Sequence, residues 1–297
     1  MILPIFRPNY KRLPQKNEDK NEILWYNNMN GRNNSAKRRR FHPFYACPGG
    51  IYLMAGILLH NGLFSAFAAS YVPRLIIGAC AVLLLAADSM LHLTSCYLRL
   101  DDVRKPTKVF LVPFILLLHL MIAGVKFPFV IVGLLLGWIG DILLIPKNNK
   151  LCFVLGGSFF LIGHGFYIAA AFSAGLPQAA FASRPVLAAA AVAFALALAV
   201  AAYCSLYKKI PVKMRVPAAL YLIALASMAG TMLVSAVGMK PGVAPVLMGG
   251  GGLLFALSDY LLGSGLVRAY RIRNNRLWVM LTYILAQLGI ALGFALL

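Results

Sequence analysis

Two carboxylates set in matching words carry the strongest chemical signal in this chain. Gly140-Asp141-Ile142-Leu143-Leu144 is echoed by Ser258-Asp259-Tyr260-Leu261-Leu262. With Asp88, these are the only acids inside long apolar segments. A carboxylate at a helix centre in hydrocarbon costs roughly 2.5–3.5 kcal/mol on insertion scales, so it usually faces a polar or wet interior. Two in similar settings point to an intramembrane acid site. Acids and phenols in a partly dry cavity can hold or share a proton near neutral pH, because burial disfavours the charged form. That condition suits general acid–base work on an uncharged bond.

Other polar side chains fall at spacings that would face such a site. His164 and Tyr167 lie three residues apart and share a helical face, with Phe160 one turn earlier. Tyr283 and Gln287 lie four apart on another helix, and Tyr221 stands near the start of a third. His164 follows Asp141 by 23 residues and Tyr283 follows Asp259 by 24, so each acid precedes a helix with a polar ring. Ser258 adjoins the second acid. A single intramembrane His or Tyr is more often an interhelical hydrogen bonder than a catalyst, and it is the paired Asp words that argue for function. Asp88 has no matching word, and with His92 four residues on it reads as a local helix pair. His60-Asn61 and His119 read as interhelical contacts. Gly133/Gly137 and the run Gly249 to Gly252 read as close-packing surfaces. That run is no phosphate loop, since no Lys-Ser/Thr follows it.

The elements that must position these groups are membrane helices. The chain is 61% hydrophobic with a mean hydropathy of +0.80, which excludes an ordinary soluble domain. Apolar runs of roughly eighteen residues or more recur from residue 50 onward, unlike the short alternating strands of a membrane barrel. The expected fold is an all-α polytopic helical bundle of nine spans. They lie near residues 50–70, 73–96, 108–124, 127–146, 151–174, 185–206, 215–238, 243–266 and 277–297. Residues 1–46 read as a basic, disordered cytosolic tail, and no signal peptide is expected there. The helical domain occupies 47–297.

Charge placement tests the span count. The net charge is +20, with ten Lys/Arg in the tail and the rest in short connections. One set of alternate connections holds Arg74, Lys126, Arg184 and Lys240, a single base each. The other holds clusters: Arg99/Arg104/Lys105/Lys108, Lys147/Lys150, Lys208/Lys209/Lys213/Arg215 and Arg268/Arg271/Arg273/Arg276. The positive-inside rule then puts the N-terminus in the cytosol and the C-terminus outside. Bases so placed touch anionic headgroups, and no folded basic module indicates a nucleic-acid partner. At about 1.5 Å per residue, Asp141 lies roughly 9 Å from Lys147 and Asp259 roughly 13 Å from Arg268, a shared layer on co-directional helices. The echo suggests a parallel repeat of spans 2–5 on spans 6–9, with an added first span.

The five cysteines, Cys47, Cys80, Cys96, Cys152 and Cys204, are scattered without a CxxC pair, so neither a disulfide framework nor a zinc site is expected. HExxH, GxSxG and Walker motifs are absent. Asp141, Asp259 and His164 are metal-ligand types, but no ligand-pair spacing supports an ion, and no organic cofactor is expected.

The residues together resemble the YhhN-like family of integral membrane proteins. Lys105-Pro106-Thr107 opens a span, followed by Gly-Trp-Ile-Gly140-Asp141-Ile-Leu-Leu and Phe160-x3-His164-x2-Tyr167. Tyr221 with Met228, Leu254-Phe255-Ala-Leu-Ser258-Asp259 and Tyr283-x3-Gln287 complete the order across residues 100–297. The resemblance implies an eight-helix core, here about 73–297, and a lysoplasmalogenase. Such an enzyme hydrolyses the sn-1 vinyl ether of a lysoplasmalogen to a fatty aldehyde and glycerophosphoethanolamine or glycerophosphocholine. Asp141 and Asp259 would be its catalytic pair, with His164, Tyr167, Tyr221, Ser258, Tyr283 and Gln287 in support. Lys105 is a candidate for the phosphate headgroup. A bacterial plasma membrane is the expected setting. The rival reading is a proton-coupled carrier in which Asp141 and Asp259 titrate during alternating access.

Overall fold

In lipid, a long apolar segment satisfies its backbone polar groups only by coiling into a helix or closing a barrel. The chain takes the first route. The computed structural model describes residues 71–146, 149–267, 269 and 272–297. Within them run α1 (Tyr71–Leu98), α2 (Asp101–Ala123), α3 (Pro128–Leu143), α4 (Lys150–Ser173), α5 (Leu176–Ser183), α6 (Pro185–Tyr207), α7 (Arg215–Gly238), α8 (Val243–Leu266) and α9 (Asn275–Ala295), with a 3-10 turn at Val212–Met214. Among the described residues there are no strands. Seven of the helices are long and apolar enough to cross a membrane, and α3 is a shorter apolar helix. Eight expected spans therefore correspond to α1–α4 and α6–α9. The expected tail 1–46 and first span 50–70, with His60-Asn61 and Cys47, lie outside the described residues. The short helix α5 was not expected. Its Ala180 backs directly onto Gly238 of α7, where an added Cβ would come within 2.8 Å.

Local chemistry sets the helix ends. Asn149 caps α4, its Oδ1 accepting from the amides of Leu151 and Cys152 at 3.0 and 3.2 Å. Arg99 closes α1 in the left-handed region (φ 61°), and the Leu100 amide reaches back to the Ser95 carbonyl at 2.9 Å. That is the Schellman pattern.

Pro113 has a longer reach. Lacking an amide hydrogen, it leaves the Val109 carbonyl without its helical donor. The Trp138 indole of α3 fills the vacancy, donating to that carbonyl at 2.8 Å. A helix defect in α2 thereby fixes the register of α3. His92 ties α1 to α2 through Thr107 Oγ1 at 2.8 Å, and its other ring nitrogen meets Cys96 Sγ at 3.6 Å. The expected Asp88–His92 pair is not formed. Both imidazole nitrogens are committed elsewhere, and Asp88 Oδ2 has no hydrogen-bond partner. His119 does make an interhelical contact, to the Ala291 carbonyl at 2.8 Å.

The core lies where α2, α3, α4, α7, α8 and α9 converge, around Leu116, Leu134, Met228, Phe255 and Ile290. By contrast α1 and α6 present large apolar side chains outward, including Leu83, Met90, Val186 and Leu196. Such faces suit contact with lipid chains. The glycine run packs as expected: a Cβ on Gly251 would strike the Ile290 backbone of α9 at 2.8 Å. The two halves repeat their neighbours. α1 packs on α2 as α6 does on α7, α3 on α4 as α8 on α9, and α2 meets α9 as α7 meets α4. The last pair of contacts crosses between halves.

Candidate active site

Contacts between the halves link the surroundings of the two Asp words: Tyr283 of α9 bonds Asp141, and Phe255 of α8 packs on Phe160 and His164 of α4. Asp141 sits two residues before the end of α3 and is 3% exposed. Its Oδ2 accepts from Tyr283 of α9 at 2.6 Å, and its Oδ1 lies 3.0 Å from Lys108 Nζ of α2. Behind Tyr283 the chain of bonds continues. Gln287 Nε2 donates to the Tyr283 hydroxyl at 3.1 Å, and Tyr167 of α4 donates to Gln287 Oε1 at 2.6 Å. Every donor in this row points toward Asp141. Four helices, α2, α3, α4 and α9, are joined through one carboxylate.

Asp259 is simpler. Tyr221 of α7 donates to its Oδ2 at 2.6 Å. It is partly accessible, whereas Asp141 is enclosed. Both carboxyls are held by short phenol bonds, but among the described residues only Asp141 has an ammonium as well.

His164 lies between these groups and the aromatic wall. Its ring is 4.8 Å from the Phe255 ring and 6.0 Å from the Tyr221 ring, edge-on to each. The imidazole is 1% exposed, and neither nitrogen has a hydrogen-bond partner. A buried polar group without a partner costs about 1–3 kcal/mol, which marks this ring as a candidate site residue. Phe160, Phe255 and Tyr283 complete the wall with mutual edge-on contacts.

The glycines of α3 make room for this set. A Cβ on Gly133 would come 2.7 Å from the Tyr167 ring, and one on Gly137 would come 3.0 Å from Gln287 Nε2. Gly140 leaves space for the Phe160 ring, which a Cβ would meet at 2.8 Å. The sequence marked Gly133 and Gly137 as helix-packing residues; their free side admits the polar side chains of the site.

The predicted residues therefore divide. Asp141, Tyr167, Tyr283 and Gln287 form one bonded network, Asp259 and Tyr221 a second, and His164 adjoins the second. Ser258 gives its hydroxyl to the Val279 carbonyl at 3.0 Å, cross-linking α8 to α9 beside the acid. Lys105 is exposed in the first turn of α2. Lys108 was missed, having been counted among the bases that orient the chain. The available signal was its position one turn inside the helix, past Pro106. Among the described residues no three His, Cys, Asp or Glu side chains converge as a metal-ligand set.

Fold and site define a polytopic helical membrane protein with two phenol-bonded acids inside apolar helices. The sequence profile of the YhhN family matches residues 103–294, well over half of the chain. The protein belongs to the YhhN family. The matched region begins inside α2, and α1 precedes it. No curated protein and no solved structure matches the chain.

Proposed function

We propose that this protein is a lysoplasmalogenase-like hydrolase that cleaves the sn-1 vinyl ether of a lysophospholipid. The observation that carries the reading is the two carboxyls among apolar helices, each accepting from a phenol at 2.6 Å. Membership of the YhhN family supports this substrate class. The orientation that the charge alternation favours would put the site on the cytosolic side, entered from the inner leaflet.

A vinyl ether is hydrolysed by protonation of its β-carbon. The C=C electron pair takes the proton, and positive charge spreads over the α-carbon and the ether oxygen. Water then adds to the α-carbon and gives up a proton. The resulting hemiacetal breaks its C–O bond to release the aldehyde and the glycerol hydroxyl. These steps need a proton donor, an anion beside the developing cation, and an oriented water, as paired acids provide in glycoside cleavage.

The surroundings divide the roles. Asp141, with Lys108 at 3.0 Å and only donors around it, is the fixed anion. Among the described residues Asp259 has a phenol but no ammonium beside it, and it is partly accessible, so it is assigned the proton transfers. His164, buried with both nitrogens free, is assigned the water. Tyr221 and Tyr283 aim the two carboxyls, and Gln287 with Tyr167 braces Tyr283.

Purified protein incubated with a lysoplasmalogen and followed by mass spectrometry tests the proposal. Fatty aldehyde and glycerophosphoethanolamine should appear in equal amounts, and Asp141→Asn and Asp259→Asn should each abolish them while the bundle stays folded. Absence of aldehyde from intact protein across lipid conditions, with lipid-driven proton flux in liposomes instead, would favour a carrier.

A further inference from the structure

Three helices around Asp259 loosen in the same direction. On α4, Ala171 and His164 are buried, whereas Leu161 and Gly157 are half-buried. On α7, Met228 and Leu225 are buried, whereas Leu222, Tyr221 and Ala218 are half-buried. On α8, burial falls from Phe255 through Asp259 to Leu262, which is 39% exposed. Each series runs toward the end of the bundle that carries the basic connections. At the opposite end α5 packs on both α4 and α7, its Ala180 set against Gly238. The seam between α4 and α7 is therefore closed at one end and parted at the other.

Gly157 stands in the parted half. It precedes His164 by two helical turns and points roughly 20° from it round the helix, so both line the same seam. A Cβ at Gly157 would meet nothing within 4 Å, whereas the His164 ring is 6.0 Å from the Tyr221 ring across the seam. Gly165 is as unobstructed, but it lies roughly 80° away, on the exposed face with Ser158 and Ile162. Open space on the seam, and not open space alone, sets Gly157 apart. The depths match as well. Gly157 from the start of α4, Tyr221 from the start of α7 and Asp259 from the end of α8 are each roughly 9–11 Å inside the basic end of the bundle. Further in, the parted stretch ends at His164, 1% exposed with neither nitrogen bonded and able to bond an incoming polar group.

We propose that the parted seam between α4 and α7 is the lateral entrance for the lysophospholipid, and that Gly157 is a specificity-determining residue whose missing side chain lets the lipid reach Asp259 and His164. The identity of the lipid rests on the hydrolase reading. Gly157 and Leu161 give the entrance an apolar edge suited to an alkyl chain. Tyr221 and Asp259, at the same depth, supply hydrogen-bonding groups to the ether at the head of that chain.

The test narrows the entrance in protein that is already folded. G157C, whose small side chain meets no neighbour, is purified in micelles and labelled with methyl methanethiosulfonate or with its larger benzyl analogue. Wild type and G165C are labelled in parallel, to account for the native cysteines and for a label on the exposed face. Each form is titrated with non-cleavable 1-O-octadecyl lysophosphoethanolamine, and cleavage of the corresponding vinyl ether lipid is followed in the same samples. The benzyl label on G157C should weaken binding and lower kcat/KM by roughly tenfold or more, the methyl label by less, and reductant should reverse both. Labelled wild type and labelled G165C should bind as their unlabelled forms do. Unchanged binding by benzyl-labelled G157C would overturn the proposal, as would an equal loss in labelled G165C or failure of the introduced thiol to react at all. If the label blocks binding but no form cleaves the vinyl ether, the entrance stands and the hydrolase reading falls. If benzyl-labelled G157C cleaves the lipid at the unlabelled rate, the hydrolase reading stands and the entrance falls.

Discussion

Replacing Lys108 by Met isolates the ion pair at the centre of the site. The side chains of Lys108 and Asp141 are 11% and 4% exposed, and their charged atoms lie 3.0 Å apart. Methionine fills much the same volume but leaves the Asp141 charge without its cation. Breaking a buried pair by removing one partner costs about 3–5 kcal/mol, because the remaining charge is stranded. The Tyr283 bond persists and softens the loss, which places the expectation near about 3 kcal/mol. That corresponds to roughly a hundredfold shift toward the unfolded state. Denaturation in micelles, followed by helical signal, gives the number directly. The double variant K108M/D141N should be more stable than K108M alone, since it removes both charges. Turnover should be lost in K108M, and K108R should retain a measurable fraction of it. A K108M protein with unchanged unfolding and near-normal turnover would refute both the buried pair and the role of Asp141 as fixed anion.

Three further outcomes follow from the same geometry. Tyr221→Phe removes the only hydrogen bond described for the Asp259 side chain; kcat should fall about 10- to 100-fold, the worth of a bond to a charged group, with KM little changed in steady-state assays. His164→Phe should leave the unfolding midpoint equal or higher, because an unpartnered buried imidazole is replaced by an apolar ring, yet it should abolish aldehyde release; retained turnover would remove His164 from the mechanism. Trp138→Phe strands the Val109 carbonyl and should cost about 1–3 kcal/mol in denaturation, with turnover falling further than stability as α3 loses its register.

The spans were legible because lipid imposes a length and a composition, and because the bases alternate between connections. Asp141 and Asp259 were legible because a carboxylate is so unfavourable among Leu and Ala. The faces were harder to see. α6 is apolar on every side, and α4 mixes glycines with rings all round, so periodicity alone says little about which side turns inward. Lys108 was hidden for a different reason. Four bases between residues 99 and 108 read as one topogenic cluster, and only the helix axis shows that the last of them lies a turn deeper. Ser258 illustrates the reverse case: adjacency to an acid in sequence placed its hydroxyl on another helix's backbone. The contacts of His92 depended on how α1 meets α2, which no spacing within α1 could reveal.

The row from Tyr167 to Asp141 has one further consequence. A carboxylate can only accept, so Tyr283 must donate to it. The Tyr283 oxygen must then take its bond from the Gln287 amide nitrogen, and the Gln287 oxygen is left for Tyr167. Each orientation is forced by the one before it. To pass a proton, every member would have to reverse together, including an amide whose donor nitrogen and acceptor oxygen are different atoms and cannot exchange roles in place. The row therefore works as an insulating strut and not as a wire. In the proposed mechanism it anchors the Asp141 carboxylate and leaves proton traffic to Asp259.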